Sequence, residues 1–335
     1  MTHTFPVLSG LRIGHAGDPA LKSGATVLLP DVPAVAGVHV GGGAPGTRET
    51  DLLRPEATVE RVDAIVLSGG SAFGLAAADG AMSWLAGQGR GFAVGPVRVP
   101  IVPAAILFDL ANGGDKTAVA GGGPSRYRAF GTAACEAAAT TTTLGTVGAG
   151  TGAFTADLKG GFGAASAALA CGATVQAFVA ANPLGRATLG STPHFRAAPF
   201  EIDGEFGGLG LPSPMPADAG AAVTKLGARA GGNTTIAVIA TDLALAPAQA
   251  TRIAAAAHDG LALSIYPVHT PMDGDTVFVL STGRVPLRDP ARDLTELSAG
   301  AAAALARAVA RAVYEAAPAP GDPAPTWRER YGLTA

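Results

Sequence analysis

The stretch Gly231-Gly232-Asn233-Thr234-Thr235, followed by Ile236-Ala-Val-Ile-Ala240, constrains this chain more than any other. Two glycines permit a bend in backbone regions closed to other residues. The apolar, β-branched run behind them reads as a buried strand. A hydroxyl residue therefore stands at the mouth of a strand that belongs inside a sheet. A threonine so placed has one particular chemistry open to it. Once the bond before it is cut, its own α-amine can act as base for its hydroxyl. The Asn233–Thr234 bond is thus a candidate self-cleavage site. The same residues also suit an ordinary loop leading into a sheet.

Composition narrows the classes. Of 335 residues, 48% are hydrophobic and only 15% charged, which is ample material for a buried core. A net charge of −3 and the lack of a basic run leave no electrostatic footprint for nucleic acid. Cys135 and Cys171 lie in Ala-rich apolar surroundings and read as small buried hydrophobes, not as a disulfide or metal pair. The N-terminus has no basic region followed by an apolar core, so no signal peptide is expected. The nearest approach to a membrane span, Leu297–Ala312, carries Arg307 and Arg311. A soluble cytoplasmic protein with no membrane partner is the expectation.

Along the chain, Leu11–Ile13, Ala25–Leu29 and Val35–Val40 read as strands. The last runs into Gly41-Gly42-Gly43-Ala44-Pro45-Gly46, a loop suited to close backbone approach or simply to a solvated turn. Asp63–Leu67, then Ser68-Gly69-Gly70-Ser71, then an Ala-rich segment has the strand–turn–helix shape of a nucleophile elbow. Phe73 stands where the last glycine of G-x-S-x-G belongs, so Ser71 is the second candidate nucleophile, for an esterase. Gly148, Gly150 and Ala153 form a lone G-x-G-x-x-A, weak evidence for a non-catalytic nucleotide or metabolite binder. Helices are expected over Tyr127–Ala139, over Pro247–His258 with a stop at Gly260, and over Leu294–Ala316. The Pro-rich tail from Pro318 reads as loosely attached.

Three further features suggest chemistry. Lys159 is one of few lysines and lies between glycine clusters, where it can hold an oxyanion or sit on a surface hairpin. Asn182, before Pro183, closes the strand Ala173–Ala181 and offers an amide donor or a turn. Asp273-Gly274-Asp275 precedes a second apolar strand, with both carboxylates on one face if the strand has already begun. No His or Cys cluster accompanies the pair in the sequence, so no metal is expected.

Together these stretches resemble the L-aminopeptidase/D-esterase family, which includes β-peptidyl aminopeptidases and endo-acting nylon-oligomer hydrolases. The matching segments are Gly41–Leu53, Leu67–Asp79, Val147–Gly163, Asn233–Asp242 and His269–Gly283, with Leu11–His15 and Ala181–Pro183 as smaller ones. The resemblance implies an α/β fold, a four-layer α/β/β/α sandwich like that of N-terminal-nucleophile hydrolases but with distinct connectivity. It implies one self-processing domain over residues 1–335, cut into an α chain 1–233 and a β chain 234–335 that stay together. Thr234 would be the nucleophile, Lys159 and Asn182 would line the site, and Asp273 and Asp275 would support it. Thr with Asp-Gly-Asp looks closer to the nylon-oligomer branch than to the aminopeptidase branch, which usually has Ser and a Ser/Glu pair. The expected activity is therefore hydrolysis of 6-aminohexanoate-type oligomers or related short amides. The alternative is an aminopeptidase releasing N-terminal L-, D- or β-amino acids. No cofactor is implied, the partner is a small amide or peptide, and the family habit implies a homo-oligomer, a tetramer of αβ units.

Overall fold

The computed structural model describes residues 4–120, 125–225 and 233–332. Gly231 and Gly232, where the sequence predicts a bend before Thr234, lie outside the described residues. In chain order the main elements are β1 (Leu11–Asp18), β2 (Ser23–Pro30), β3 (Ala34–Val40), β4 (Ile65–Ser68), α1 (Ala76–Gly87), β5 (Ala104–Ile106) and α2 (Arg126–Glu136). They continue with β6 (Gly161–Ala168), β7 (Thr174–Asn182), β8 (Thr234–Leu243), α3 (Pro247–Ser264), β9 (Thr276–Val285) and α4 (Pro290–Tyr314).

Strands β2, β7 and β8 are buried over almost their whole length, which is what runs of Val, Ile and Ala without polar alternation require. A strand buried on both faces needs a layer on each side. The first sheet has the order β1-β2-β4-β5 with Thr47–Arg48 at its edge, and the second β6-β7-β8-β9-β3 with Arg61–Val62 at its edge. Phe162, Phe178, Ile236, Val238 and Phe278 of the second sheet pack on Leu28, Ile65 and Leu67 of the first. On the other face of the second sheet, Val179, Ala237, Ile239 and Val279 meet Ile253 and Leu261 of α3 and Leu305 and Val309 of α4. Val27 and Val66 of the first sheet meet Ala81 and Leu85 of α1 and Tyr127 and Ala134 of α2. The result is the expected order of helices, sheet, sheet and helices.

Two expectations need correction. Helix α3 does not stop at Gly260 but runs on to Ser264. Gly260 is there because α3 and α4 touch: a Cβ at that position would lie 2.3 Å from the Ala302 carbonyl oxygen. The tail is not loose either. Trp327 is 2% exposed, its ring stacks on Phe195 at 5.7 Å, and its Nε1 donates to the Pro193 carbonyl at 2.9 Å. Burying one aromatic side chain of this size contributes on the order of 2–3 kcal/mol, enough to hold a short segment down.

Candidate active site

The topology of the second sheet brings the scattered motifs to one edge. Strands β8 and β9 are parallel, so the start of one lies beside the start of the other, and Asn233 bridges Asp273. Strand β7 is antiparallel to β8, so its end lies there too, and Asn182 is the register partner of Thr234. Strand β3 is antiparallel to β9, so it delivers the Gly41–Gly43 loop to the same edge. Lys159 precedes β6, which is two strands from β8, so its backbone is about 10 Å from that of Thr234. Thr234 and Asn182 share the sheet face of Ile236 and Ala180, which looks into the space between the two sheets.

Thr234 is 3% exposed. Its hydroxyl donates to the Asn233 carbonyl oxygen at 2.5 Å, and the Gly274 N–H donates to the same oxygen at 2.8 Å. The carbonyl of the candidate scissile bond is therefore polarised by two donors, with the hydroxyl against it. Gly274 has to be glycine for this: a Cβ there would lie 2.7 Å from Thr234 Oγ1 and 2.7 Å from the Ala44 carbonyl oxygen.

The two carboxylates, equivalent in sequence, differ in what they hold. Both precede β9, which begins at Thr276. Asp275 is fully buried; its Oδ1 accepts the Thr235 N–H at 2.8 Å, and its Oδ2 lies 2.8 Å from His269 Nδ1. Asp273 accepts the Leu184 N–H at 3.1 Å on Oδ1, and the Thr270 N–H at 2.9 Å and hydroxyl at 2.7 Å on Oδ2. It clamps two loops together. Burial, and then the charge of Asp275, push its pKa up. The glycine loop closes over this pair: the Gly41 N–H donates to the Asp275 carbonyl at 2.9 Å and the Ala44 N–H to the Asp273 carbonyl at 2.8 Å. A Cβ on Gly42 would lie 2.3 Å from the Asp273 carbonyl oxygen, so the loop approaches the backbone closely at Gly42, while Gly43, Ala44 and Pro45 at its tip are exposed.

The Asn182 amide is held at both ends. Oδ1 accepts the Phe154 N–H at 2.9 Å and the Lys225 ammonium at 3.0 Å, and Nδ2 donates to the Phe108 carbonyl at 3.0 Å. Lys159 is 1% exposed, so it is not a surface hairpin residue. Its ammonium pairs with Asp322 of the tail at 2.5 Å, and Lys22 holds the other oxygen of Asp322 at 2.8 Å. Burial lowers the pKa of Lys159, and Asp322 pulls against that.

Lys225, His258, His269 and Gly274 also belong to this neighbourhood, and the motif reading missed them as site residues. Lys225 and the histidines carry no spacing signal; only Gly274, between two Asp, sits inside a recognisable pattern. Ser71 does occupy a strained turn after β4, with φ of 52°. No hydrogen bond among the described residues joins it to a histidine, and the adjacent Asp109 is occupied by the Gly70 N–H at 2.8 Å and the Ser23 hydroxyl at 2.6 Å. Gly148 to Gly150 form a buried 3-10 turn, not the opening of a helix. A Cβ on Gly148 would lie 2.3 Å from Thr26 Oγ1, so its missing side chain serves packing and leaves no cradle for a phosphate.

The chain as a whole is similar to known proteins. The family model of peptidase family S58 matches residues 8–325. An uncharacterized aminopeptidase of Mycobacterium tuberculosis is 47% identical over 293 residues, covering 83% of this chain and 81% of its own. A 6-aminohexanoate-oligomer endohydrolase of Kocuria sp. is 39% identical over only 56 residues, 17% of this chain and 16% of its own. The structure of the L-aminopeptidase D-Ala-esterase/amidase of Ochrobactrum anthropi, described as a variant of the Ntn-hydrolase fold, superposes with a TM-score of 0.63 at 22% identity, covering 94% of this chain and 87% of that one. Among the described residues no helix is long and apolar enough to cross a membrane. With the family match running through both sheets and into the docked tail, this chain belongs to peptidase family S58 and is an aminopeptidase-type hydrolase.

Proposed function

We propose that this protein is a self-processing aminopeptidase whose nucleophile is Thr234, released by cleavage of the Asn233–Thr234 bond into chains 1–233 and 234–335. The observation that carries the reading is the Asn233 carbonyl oxygen receiving both the Thr234 hydroxyl at 2.5 Å and the Gly274 N–H at 2.8 Å. In processing, Thr234 Oγ1 attacks the Asn233 carbonyl carbon. The C–N bond breaks, the hydroxyl proton passes to the nitrogen, and an ester links the two residues. Water then hydrolyses the ester, leaving a carboxylate on Asn233 and a free α-amine and hydroxyl on Thr234. A free α-amine titrates at about 7.7–8.0, so a useful fraction is neutral near neutral pH and can take the hydroxyl proton. The hydroxyl oxygen next attacks the substrate carbonyl, the leaving amine collects the proton, and water releases the acyl group.

The surrounding residues have distinct tasks in this scheme. Asn182 spends one of its two amide hydrogens on Phe108 and keeps the second for the oxyanion. Asp275 anchors the backbone next to the nucleophile through the Thr235 N–H. Lys159, held on Asp322, supplies positive field at the same sheet edge. Asp273 is a loop clamp, so removing its charge affects stability before chemistry.

The match to the uncharacterized mycobacterial aminopeptidase, over 83% of this chain, supports the reading that this protein releases N-terminal amino acids. Endo-hydrolysis of 6-aminohexanoate oligomers is the second reading. It is supported by the short match to the endohydrolase and by Thr234 with Asp273-Gly274-Asp275. Aminoacyl p-nitroanilides of L-, D- and β-alanine, assayed beside 6-aminohexanoate oligomers, separate the two by which is turned over. Thr234→Ala should stay a single inactive chain, and an active uncleaved Thr234→Ala protein would refute the nucleophile.

A further inference from the structure

We infer that His269 is a positioning residue of this site: it shares one extra proton with Asp275 and so fixes the carboxylate that holds the backbone beside the nucleophile. The inference rests on the reading of Thr234 as nucleophile. It comes from counting protons along a chain of rings. His258 Nε2 faces the His39 carbonyl oxygen at 3.0 Å. A carbonyl only accepts, so that nitrogen carries hydrogen and a neutral His258 has a bare Nδ1. His258 Nδ1 faces His269 Nε2 at 3.3 Å, and His269 Nδ1 faces Asp275 Oδ2 at 2.8 Å. Asp275 already accepts the Thr235 N–H at 2.8 Å and the His269 N–H at 3.2 Å. The row thus ends in an acceptor on each side. Two neutral histidines would leave two lone pairs facing each other or a carboxylate without its donor. One added proton removes the conflict, giving an imidazolium at His269 against the Asp275 carboxylate.

Three independent features serve this arrangement. His269 adopts φ of 54°, a left-handed conformation rare outside glycine, which aims its ring at Asp275. Gly41 makes room for the rings: a Cβ there would lie 2.7 Å from His258 Nδ1 and 3.4 Å from His269 Nδ1. The titratable neighbours agree on where the proton goes. Burial drives His258 down to about 4, keeping it neutral. Burial opposes a charge on His269 as well, but Asp275, aided by the field of Asp273, outweighs it and raises its pKa. From the elements packed around His269, the facing groups are thus Asp275 and Asp273 before β9 and His258 on α3; His39 on β3 stacks edge-on with His258.

The catalytic consequence is electrostatic. A bare Asp275 beside the free amine of Thr234 would favour the ammonium and deprive the site of its base. The imidazolium cancels that field while keeping the carboxylate in place. His269→Asn tests this, because Asn tolerates the left-handed backbone and can donate to Asp275 but cannot carry the proton. With L-alanine p-nitroanilide as probe, kcat should fall about tenfold with KM within about twofold, and the acid limb of the pH profile should move up by about half to one pH unit. A profile that superimposes on that of the unaltered enzyme after scaling, or an unchanged rate, would overturn the inference. The second measurement needs no activity. In 15N-histidine NMR of the unaltered protein, one of the six histidines should keep both ring protons to higher pH than the rest. That signal should vanish in His269→Asn, and in Asp275→Asn its midpoint should drop by about one pH unit or more. If no histidine titrates above the ordinary value, or the last to titrate persists in His269→Asn, the inference fails whether or not Thr234 is the nucleophile. An active Thr234→Ala enzyme, by contrast, would remove the parent reading and leave the proton count standing.

Discussion

Gly274 shows how much of this site depends on one missing side chain. Its N–H reaches the Asn233 carbonyl, and its Cα lies so near Thr234 Oγ1 that a methyl group would meet it at 2.7 Å. Gly274→Ala should therefore displace the hydroxyl from the Asn233 carbonyl and slow the proposed self-cleavage. Loss of such aligned polarisation typically costs about 100-fold in rate. Following the disappearance of the full-length chain by mass spectrometry after purification checks this, and processing at the unaltered rate would contradict it. At this scale the sequence was informative about residue types and silent about partners. Thr234, Asn182, Lys159 and the Asp273–Asp275 pair stand out in the sequence because a hydroxyl, an amide, an ammonium and carboxylates near strand ends suit acyl transfer, and the fold brings their backbones to one end of the second sheet. The division of labour between Asp273 and Asp275 does not stand out there, because it depends on Leu184, Thr235, Thr270 and His269, which the fold brings together from separate segments. His258 and His269 lie 11 residues apart and carry no motif; only the turn after α3 sets one ring against the other.

The elements were more legible than their pairing. Uninterrupted β-branched and Ala runs predict buried strands, and β7, β8 and β9 lie where such runs occur. That β8 and β9 run parallel, joined by α3, is a matter of long-range register, yet it is what places Thr234 beside Gly274. The tail differs from its sequence expectation for a related reason. Pro and Gly suggested looseness, while its hold comes from Trp327 in a distant aromatic cluster and from Asp322 between two lysines. Burial disfavours the Asp322 anion, but hydrogen bonds from Lys159 and Lys22 hold its pKa below the usual range. Asp322→Asn would leave two nearly buried ammonium groups without their counter-ion, which costs about 3 kcal/mol or more. Urea unfolding should show that loss; a variant within about 0.5 kcal/mol of the parent would show the triplet to be unimportant.

For the whole molecule, buried histidines set a pH dependence of stability. Burial lowers His15, which lies between Thr26 and Thr142, and His258 from 6.5 to about 4. Between those values the unfolded chain binds protons that the folded chain refuses, so stability is full above about pH 6.5 and is lost as pH falls toward 4, by a few kcal/mol on the order expected from such shifts. His269 acts in the opposite sense. Its raised pKa contributes stability that is present below the unfolded value of 6.5 and lost as pH rises through its folded value. Denaturant midpoints across this range should fall steeply on the acid side, and a flat profile from about pH 7 to 4 would contradict the burial of His15 and His258 as charge-excluding. Whether this family S58 hydrolase makes its own nucleophile can be read from the intact mass of the purified protein. Self-cleavage at Asn233–Thr234 should give two polypeptides, 1–233 and 234–335, the second beginning with Thr234, and one uncut chain for Thr234→Ala. A fully active enzyme found as a single uncut chain of 335 residues would contradict it.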